Sequence, residues 1–287
     1  MFFRIPRIVP LFAFACISFL TGCTGLESPA KAASVFQAYF LDVGQGDACL
    51  MRTPAGEWFL FDVGNKAERL IPFLKDAKVD TLSAVFISHP DLDHFGAFPA
   101  LLKEIPIKKV FLPSESSGSV PDPAWSALLA GLDAFPVRKE TLFAGDTLLW
   151  KGDVHARVLW PFPHTDMEGN DISTVLRVEF RSRRILLTGD IEEAAETAIL
   201  SAGINPGADI LKVAHHGSRT SSGLPFLNAV APRWAVISCD SSVYGHPHPE
   251  AIADLAQVMG DDARILRTDR EGTIGFELDE WGVRRIR

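Results

Sequence analysis

Short apolar runs recur along most of this chain, and many of them end on a polar or acidic residue. Residues 36–62 predict three strands in a meander, with Gly44-Gln45-Gly46 and Thr53-Pro54-Ala55-Gly56 at the turns. Helical spacing over 66–78 puts Leu70, Phe73 and Leu74 on one face, as packing on a sheet requires. Residues 82–88 are an apolar strand. The pattern then predicts a helix over 95–104, a strand over 108–112 and a helix over 123–135. Two strands around Gly152 follow in 143–161, then a hairpin of 172–180 and 184–187. Helices over 192–202, 223–231 and 248–259 alternate with strands over 210–214 and 234–239, before a final pair of strands. This order describes an α/β protein with two mixed sheets facing each other and helices outside. At 287 residues, without a visible repeat, the chain has material for one large domain with a substantial core.

Residues 1–22 follow a different pattern. Arg4 and Arg7 precede an apolar stretch, Ile8 to Leu20, that is short for a membrane span. Leu20-Thr21-Gly22-Cys23 resembles a bacterial lipobox, the alternative being an ordinary secretory signal with a coincidental cysteine. The expectation is a signal peptide over 1–22, a lipidated Cys23 opening a flexible tether over 23–35, and one domain over 36–287. The partner is then a membrane, reached through the lipid on Cys23. Thr24 follows the cysteine in place of the Asp that favours inner-membrane retention, so a Gram-negative host would carry this envelope lipoprotein on the periplasmic side of its outer membrane. Cys16 leaves with the signal; Cys49 and Cys239 lie in apolar strand patterns and are expected as buried free thiols. There is no paired-cysteine zinc signature.

Charge narrows the partners further. Of 28 Lys and Arg, two leave with the signal, and 26 against 36 acids is a difference of −10. Such a surface lacks the basic track that stable duplex nucleic-acid binding needs.

Candidate chemistry concentrates at one strand end. His89-Pro90-Asp91-Leu92-Asp93-His94 offers four metal-ligating side chains in six residues, directly after the 82–88 strand. His89 and Asp91, two apart in an extended segment, can converge on one cation, and Asp93 and His94 on a second. A polar turn with Asp93 as helix N-cap would explain one carboxylate and neither imidazole. Other apolar runs end the same way, at Asp62, at Asp190 and at His215-His216.

With these motifs in hand, the chain resembles the metallo-β-lactamase superfamily, and within it the extracytoplasmic metallohydrolase domain of ComEC-type competence proteins. The likeness runs through Phe40-Leu-Asp-Val-Gly-Gln-Gly-Asp47, Ser88 to His94, Asn170 to Leu176, Leu187-Thr-Gly-Asp-Ile191 and Val213-Ala-His-His-Gly-Ser218. It ends with Tyr244 to Glu250 and Arg267-Thr-Asp269. ComEC-type proteins carry a membrane channel region that has no counterpart here, so a standalone lipoprotein is expected. The resemblance implies a four-layer αββα sandwich and two divalent ions, zinc, manganese or both. It puts His89, Asp91 and a bridging Asp190 on the first ion, with Asn170 where many relatives have a histidine. Asp93, His94, Asp190 and a late histidine take the second ion. That histidine could be His215, His216 or His246; similarity to choline-phosphate esterases favours His216. Asp91, like Asn170, stands where histidine is common, which makes the first site oxygen-rich and moves its preference from zinc towards manganese or magnesium.

Among supporting groups, Asp62 is expected to brace a ligand loop and His246 to give a proton to a leaving oxygen or contact a phosphate. His215 is expected to orient His216 or face substrate, and His248 to cap the following helix. Asp47 is open between turn chemistry and support of the site. A water held between two cations loses a proton near neutral pH and can attack phosphorus in line. The function implied is therefore an extracytoplasmic phosphodiesterase acting on nucleic acid or another phosphodiester. Hydrolysis of a lactam, lactone or thioester is the alternative, as is a non-catalytic binding lipoprotein of the same fold.

Overall fold

The computed structural model describes residues 34–114 and 122–287. The expected signal peptide, Cys23 and nearly all of the tether lie outside the described residues. The meander forms as β1 (Phe36–Phe40), β2 (Cys49–Arg52) and β3 (Trp58–Phe61), antiparallel throughout. Helix α1 (Ala67–Asp76) leads to β4 (Leu82–Phe86), which pairs parallel to β3. The single helix expected over 95–104 is two: α2 (Leu92–Phe95) and α3 (Phe98–Glu104). The break falls where the Ala97 N–H donates to the carbonyl of Gly64 instead of continuing a helix. Asp93 consequently lies inside α2, and Asp91 takes the N-cap position without a side-chain capping bond.

Next come β5 (Lys109–Leu112), α4 (Pro123–Gly131) and β6 (Arg138–Thr141). Strand β6 was not predicted, because Arg-Lys-Glu-Thr carries no apolar alternation; parallel pairing with β5 alone makes it a strand. Then β7 (Thr147–Trp150), β8 (Val154–Trp160), β9 (Val175–Phe180) and β10 (Arg183–Leu187) form an antiparallel series. Helix α5 (Glu193–Ser201), β11 (Ile210–Lys212), α6 (Leu224–Val230), β12 (Trp234–Ile237) and α7 (Pro249–Met259) follow. The expected final pair of strands is three, β13 (Ile265–Arg267), β14 (Ile274–Leu278) and β15 (Val283–Arg285), with the one-turn α8 (Thr268–Glu271) after β13. They divide between the sheets. One sheet runs β15-β14-β1-β2-β3-β4-β5-β6 and the other β13-β12-β11-β10-β9-β8-β7.

Strand alternation builds the layers. Phe36, Phe40, Phe59, Phe61 and Phe86 of the first sheet meet Val158, Leu176, Ile185, Leu187 and Val236 of the second in one core. Phe59 stacks on Trp150 across the gap, ring centroids 3.8 Å apart. The other face of the first sheet packs Leu60 and Val85 against Leu70, Leu74, Phe98 and Leu101 of α1 and α3. The other face of the second packs Leu186, Leu211 and Ile237 against Ile199, Phe226 and Leu255 of α5, α6 and α7. Three apolar layers between four layers of elements make this the αββα sandwich. Cys49 and Cys239 are buried free thiols within it. The parallel strands β3 and β4 of one sheet and β10, β11 and β12 of the other are each followed, at their C-terminal ends, by the polar segments noted in the sequence.

Candidate metal centre

Three imidazoles meet at those strand ends, each fastened by its Nδ1. Asp62, fully buried just past β3, accepts from the Ser88 N–H at 2.7 Å and from the Ser88 hydroxyl at 2.8 Å. The same carboxylate lies 2.9 Å from His94 Nδ1. With its proton given to Asp62, the Ser88 hydroxyl is left to accept from His89 Nδ1 at 3.0 Å. His216 Nδ1 donates to the Ser238 carbonyl at 2.8 Å. These bonds fix all three rings in the tautomer that leaves Nε2 a lone pair. All three Nε2 atoms are buried without a hydrogen-bond partner. Ring centroids lie 4.1 Å apart for His89 and His94, and 5.3 Å for His94 and His216.

Carboxylates fill the space between them. Asp190 Oδ2 is 3.2 Å from both His94 Nε2 and His216 Nε2, and Asp93 Oδ2 is 3.2 Å from His216 Nε2. Asp91 stands further out, its side chain 57% exposed and its Oδ2 3.7 Å from His89 Nε2. Ligand atoms of His89, His94 and Asp190 lie close enough to share one cation, as do those of Asp93, His94 and His216. His94 therefore faces both groups, where the sequence-based division gave it to one. Asn170 is not brought to this cluster: its amide faces Glu192 at 3.4 Å. The Asn170 carbonyl accepts from the Ser173 hydroxyl, whose oxygen accepts from the Asp190 N–H, so this loop reaches the centre through the backbone of Asp190.

Local backbone makes the convergence possible. His215 and His216 both have positive φ, +49° and +54°, an uncommon state for residues with a Cβ. Gly46 has φ of +121°, and a Cβ there would sit 2.1 Å from the Asp93 carbonyl oxygen, so only glycine lets that loop close on α2.

The field of the cluster favours cations. Burial opposes charge on His94 and His216, yet Asp190 and Asp62 raise His94 well above its usual range. Against the same burial, Asp190, Asp93 and Asp47 lift His216 to about 9. Asp93 and Asp190 are held below the normal carboxylate range, their own burial outweighed by these imidazoles. A proton held there occupies the space of a divalent ion, and buried Nε2 lone pairs facing carboxylates are a donor set that fits one.

Two further histidines line the same end. His215 Nδ1 lies 3.1 Å from Glu192, with its ring centroid 5.5 Å from that of His246. Burial, then the neighbouring His215, His216 and His248, push His246 down to about 4. It is a neutral imidazole at physiological pH. His248 stands at the N-cap of α7 but makes no capping bond; its Nδ1 accepts from the Arg219 N–H at 3.1 Å.

Sequence reasoning missed Ser88, Glu192 and Lys212, and left Asp47 open. Asp47 is buried in contact with Lys212 Nζ. Burial lowers the basicity of Lys212, but Asp47 and Asp190 more than compensate, so it remains cationic. The available signal was alternation: Lys212 shares the inward face of β11 with Ile210, a position where an apolar residue belongs.

Known proteins are similar to this chain over most of its described length. Residues 41–241 match the Metallo-beta-lactamase superfamily. The chain is 32% identical over 258 residues to ComE operon protein 3 of Bacillus subtilis, covering 82% of this chain and 32% of that protein. It is 33% identical over 251 residues to Competence protein ComA of Neisseria gonorrhoeae, covering 86% and 33%. It thus spans about a third of the length of these relatives. The metallo-beta-lactamase fold protein YhfI of Bacillus subtilis superposes with a TM-score of 0.52 at 12% identity, over 80% of this chain and 95% of that one. With the sandwich, the ligand-bearing strand ends and a matching stretch of 201 residues in agreement, the chain belongs to the metallo-beta-lactamase superfamily.

Proposed function

We propose that this chain is a metal-dependent phosphodiesterase of the cell envelope, holding two divalent ions at the strand ends. The observation that carries the reading is the set of three Nε2 lone pairs on His89, His94 and His216, buried, unpartnered and aimed at Asp93 and Asp190. Divalent ions bound there would make a coordinated water acidic and neutralise charge at a phosphorus centre. His89, Asp91 and Asp190 would hold one, and Asp93, His94, Asp190 and His216 the other. With His94, which faces both groups, counted in the second, the first set has a single imidazole and suits manganese, while the second has two and suits zinc.

The remaining groups serve the substrate. His246, neutral, would give a hydrogen bond from its ring to an anionic phosphoryl or leaving oxygen. Of the two roles expected for it, phosphate contact suits a neutral ring better than proton donation. Glu192 stands beside the His215 ring, which packs edge to face with that of His246. Five carboxylates surround the centre (Asp47, Asp62, Asp91, Asp93 and Asp190), so an anionic diester is repelled until cations are in place.

The test is a substrate panel offered to the manganese- and zinc-loaded chain. Bis-p-nitrophenyl phosphate should turn over and EDTA should stop it. Cleavage of nitrocefin with the diester untouched would favour the lactam reading, and no turnover by metal-loaded protein the binding one. Single-stranded DNA as a further substrate separates nucleic acid from smaller diesters.

A further inference from the structure

A third group of ligand atoms lies beside the two already described. Asp47, Asp190 and His216, all buried, bring a carboxylate oxygen, a second carboxylate oxygen and a ring nitrogen within reach of one cation. Asp47 Oδ1 is 3.5 Å from His216 Nδ1, whose proton goes to the Ser238 carbonyl, so the two carboxylates are the free electron-pair donors of this group. Asp190 Oδ1, the oxygen turned away from the imidazoles, has no hydrogen-bond partner. The Lys212 ammonium sits at this group, touching Asp47 Oδ2 and 3.9 Å from Asp190 Oδ1.

Lys212 is only 3% exposed. Its strand position continues an apolar face, where Met or Leu would pack without the several kcal/mol that burying an ion costs. A fixed positive charge beside a centre that collects cations also works against metal binding. A group that is costly in both respects needs a reason to be there, and the third ligand set supplies one.

We propose that Lys212 is a positioning residue, a protein-borne cation that fills the Asp47–Asp190–His216 group. It keeps metal out of that group and commits Asp190 to presenting Oδ2 alone between His94 and His216. The inference rests on the metal-centre reading above.

Manganese titration of the full chain, stripped of metal and followed by the free-ion resonance signal, tests it. Lys212→Met leaves Asp47 buried and unpaired, and should bind one more manganese ion per chain than the wild type. Its melting temperature should fall without metal and recover more on metal addition than the wild type gains. Asp47→Asn leaves Lys212 with Asp190 alone, and should weaken manganese binding by at least about tenfold, because a unit charge some 4 Å away outweighs that figure even when well screened. The double variant Lys212→Met/Asp47→Asn removes both charges and should return to the wild-type ion count. A lysine with a merely structural role would lower the melting temperature in each variant and move neither ion count nor affinity.

Equal manganese uptake by wild type and Lys212→Met overturns the inference, as does unchanged affinity in Asp47→Asn. If Lys212→Met does not fold, the manganese affinity of Asp47→Asn still decides between these outcomes. A wild-type chain that takes up no manganese or zinc overturns the metal-centre reading itself.

Discussion

Asp62 and Ser88 do not reach the space between the imidazoles, yet they determine which nitrogen His89 and His94 offer to it. Asp62→Asn can present an amide N–H to His94 Nδ1 and turn the ring's proton to the wrong side. Loss of such an outer partner costs about 10–100-fold in metal affinity. Titration with zinc should show that loss while circular dichroism stays that of the wild type. Asp91→His makes the opposite change, adding an imidazole near His89, and should raise zinc occupancy and reduce the benefit of manganese. An unchanged manganese response would place Asp91 outside the centre. The cluster of His89, Asp93, His94 and Asp190, the ligands proposed above, was legible because metal-binding side chains stood together where apolar runs ended. Of their supports, Asp62 was legible as an acid at a strand end, but Ser88 was not: it is an ordinary serine in the sequence, and its role depends on Asp62, 26 residues away. Asn170 was placed by alignment with a histidine; in the fold its side chain turns to Glu192.

At the level of elements, periodicity recovered the strands with apolar faces and failed where tertiary pairing replaced pattern. Strand β6 exists through its neighbour, and α2 and α3 separate because Ala97 bonds outside the helix. One contact between helices carries a measurable pH dependence. Glu196 of α5, buried, accepts from the Ser222 N–H and from the Gly223 N–H at 3.0 Å, ahead of α6. Burial pushes its carboxyl up to about 7, against those two hydrogen bonds and with help from Asp171 and Glu193. The raised value means that the unfolded chain loses this proton first. Stability should therefore fall as pH climbs from about 4.5 to about 7, by on the order of 3 kcal/mol from this group. Denaturant titrations across that window should be flatter for Glu196→Gln than for the wild type. Equal slopes for the two proteins would exclude Glu196 as the source.

For the whole molecule, a net acidic composition lacks the basic track that long duplexes require, so the diester proposed above would be a small or single-stranded one. No helix among the described residues is long and apolar enough to cross a membrane. Envelope attachment, as proposed, rests on the Leu20-Thr-Gly-Cys23 motif alone. Cys23→Ala protein with its signal removed should leave the membrane fraction; its retention there would contradict lipid anchoring. The layered architecture was legible from the order of strands and helices, whereas the division of the last three strands between two sheets was not, because each is short and pairs far along the chain. The most direct test of the account is elemental analysis of the purified chain beside Asp190→Ala. The account predicts two divalent ions per wild-type chain and a folded Asp190→Ala protein that has lost metal from both sites, because one carboxylate oxygen faces His94 and His216 together. A wild-type chain without bound metal, or an Asp190→Ala protein that keeps both ions, would contradict it.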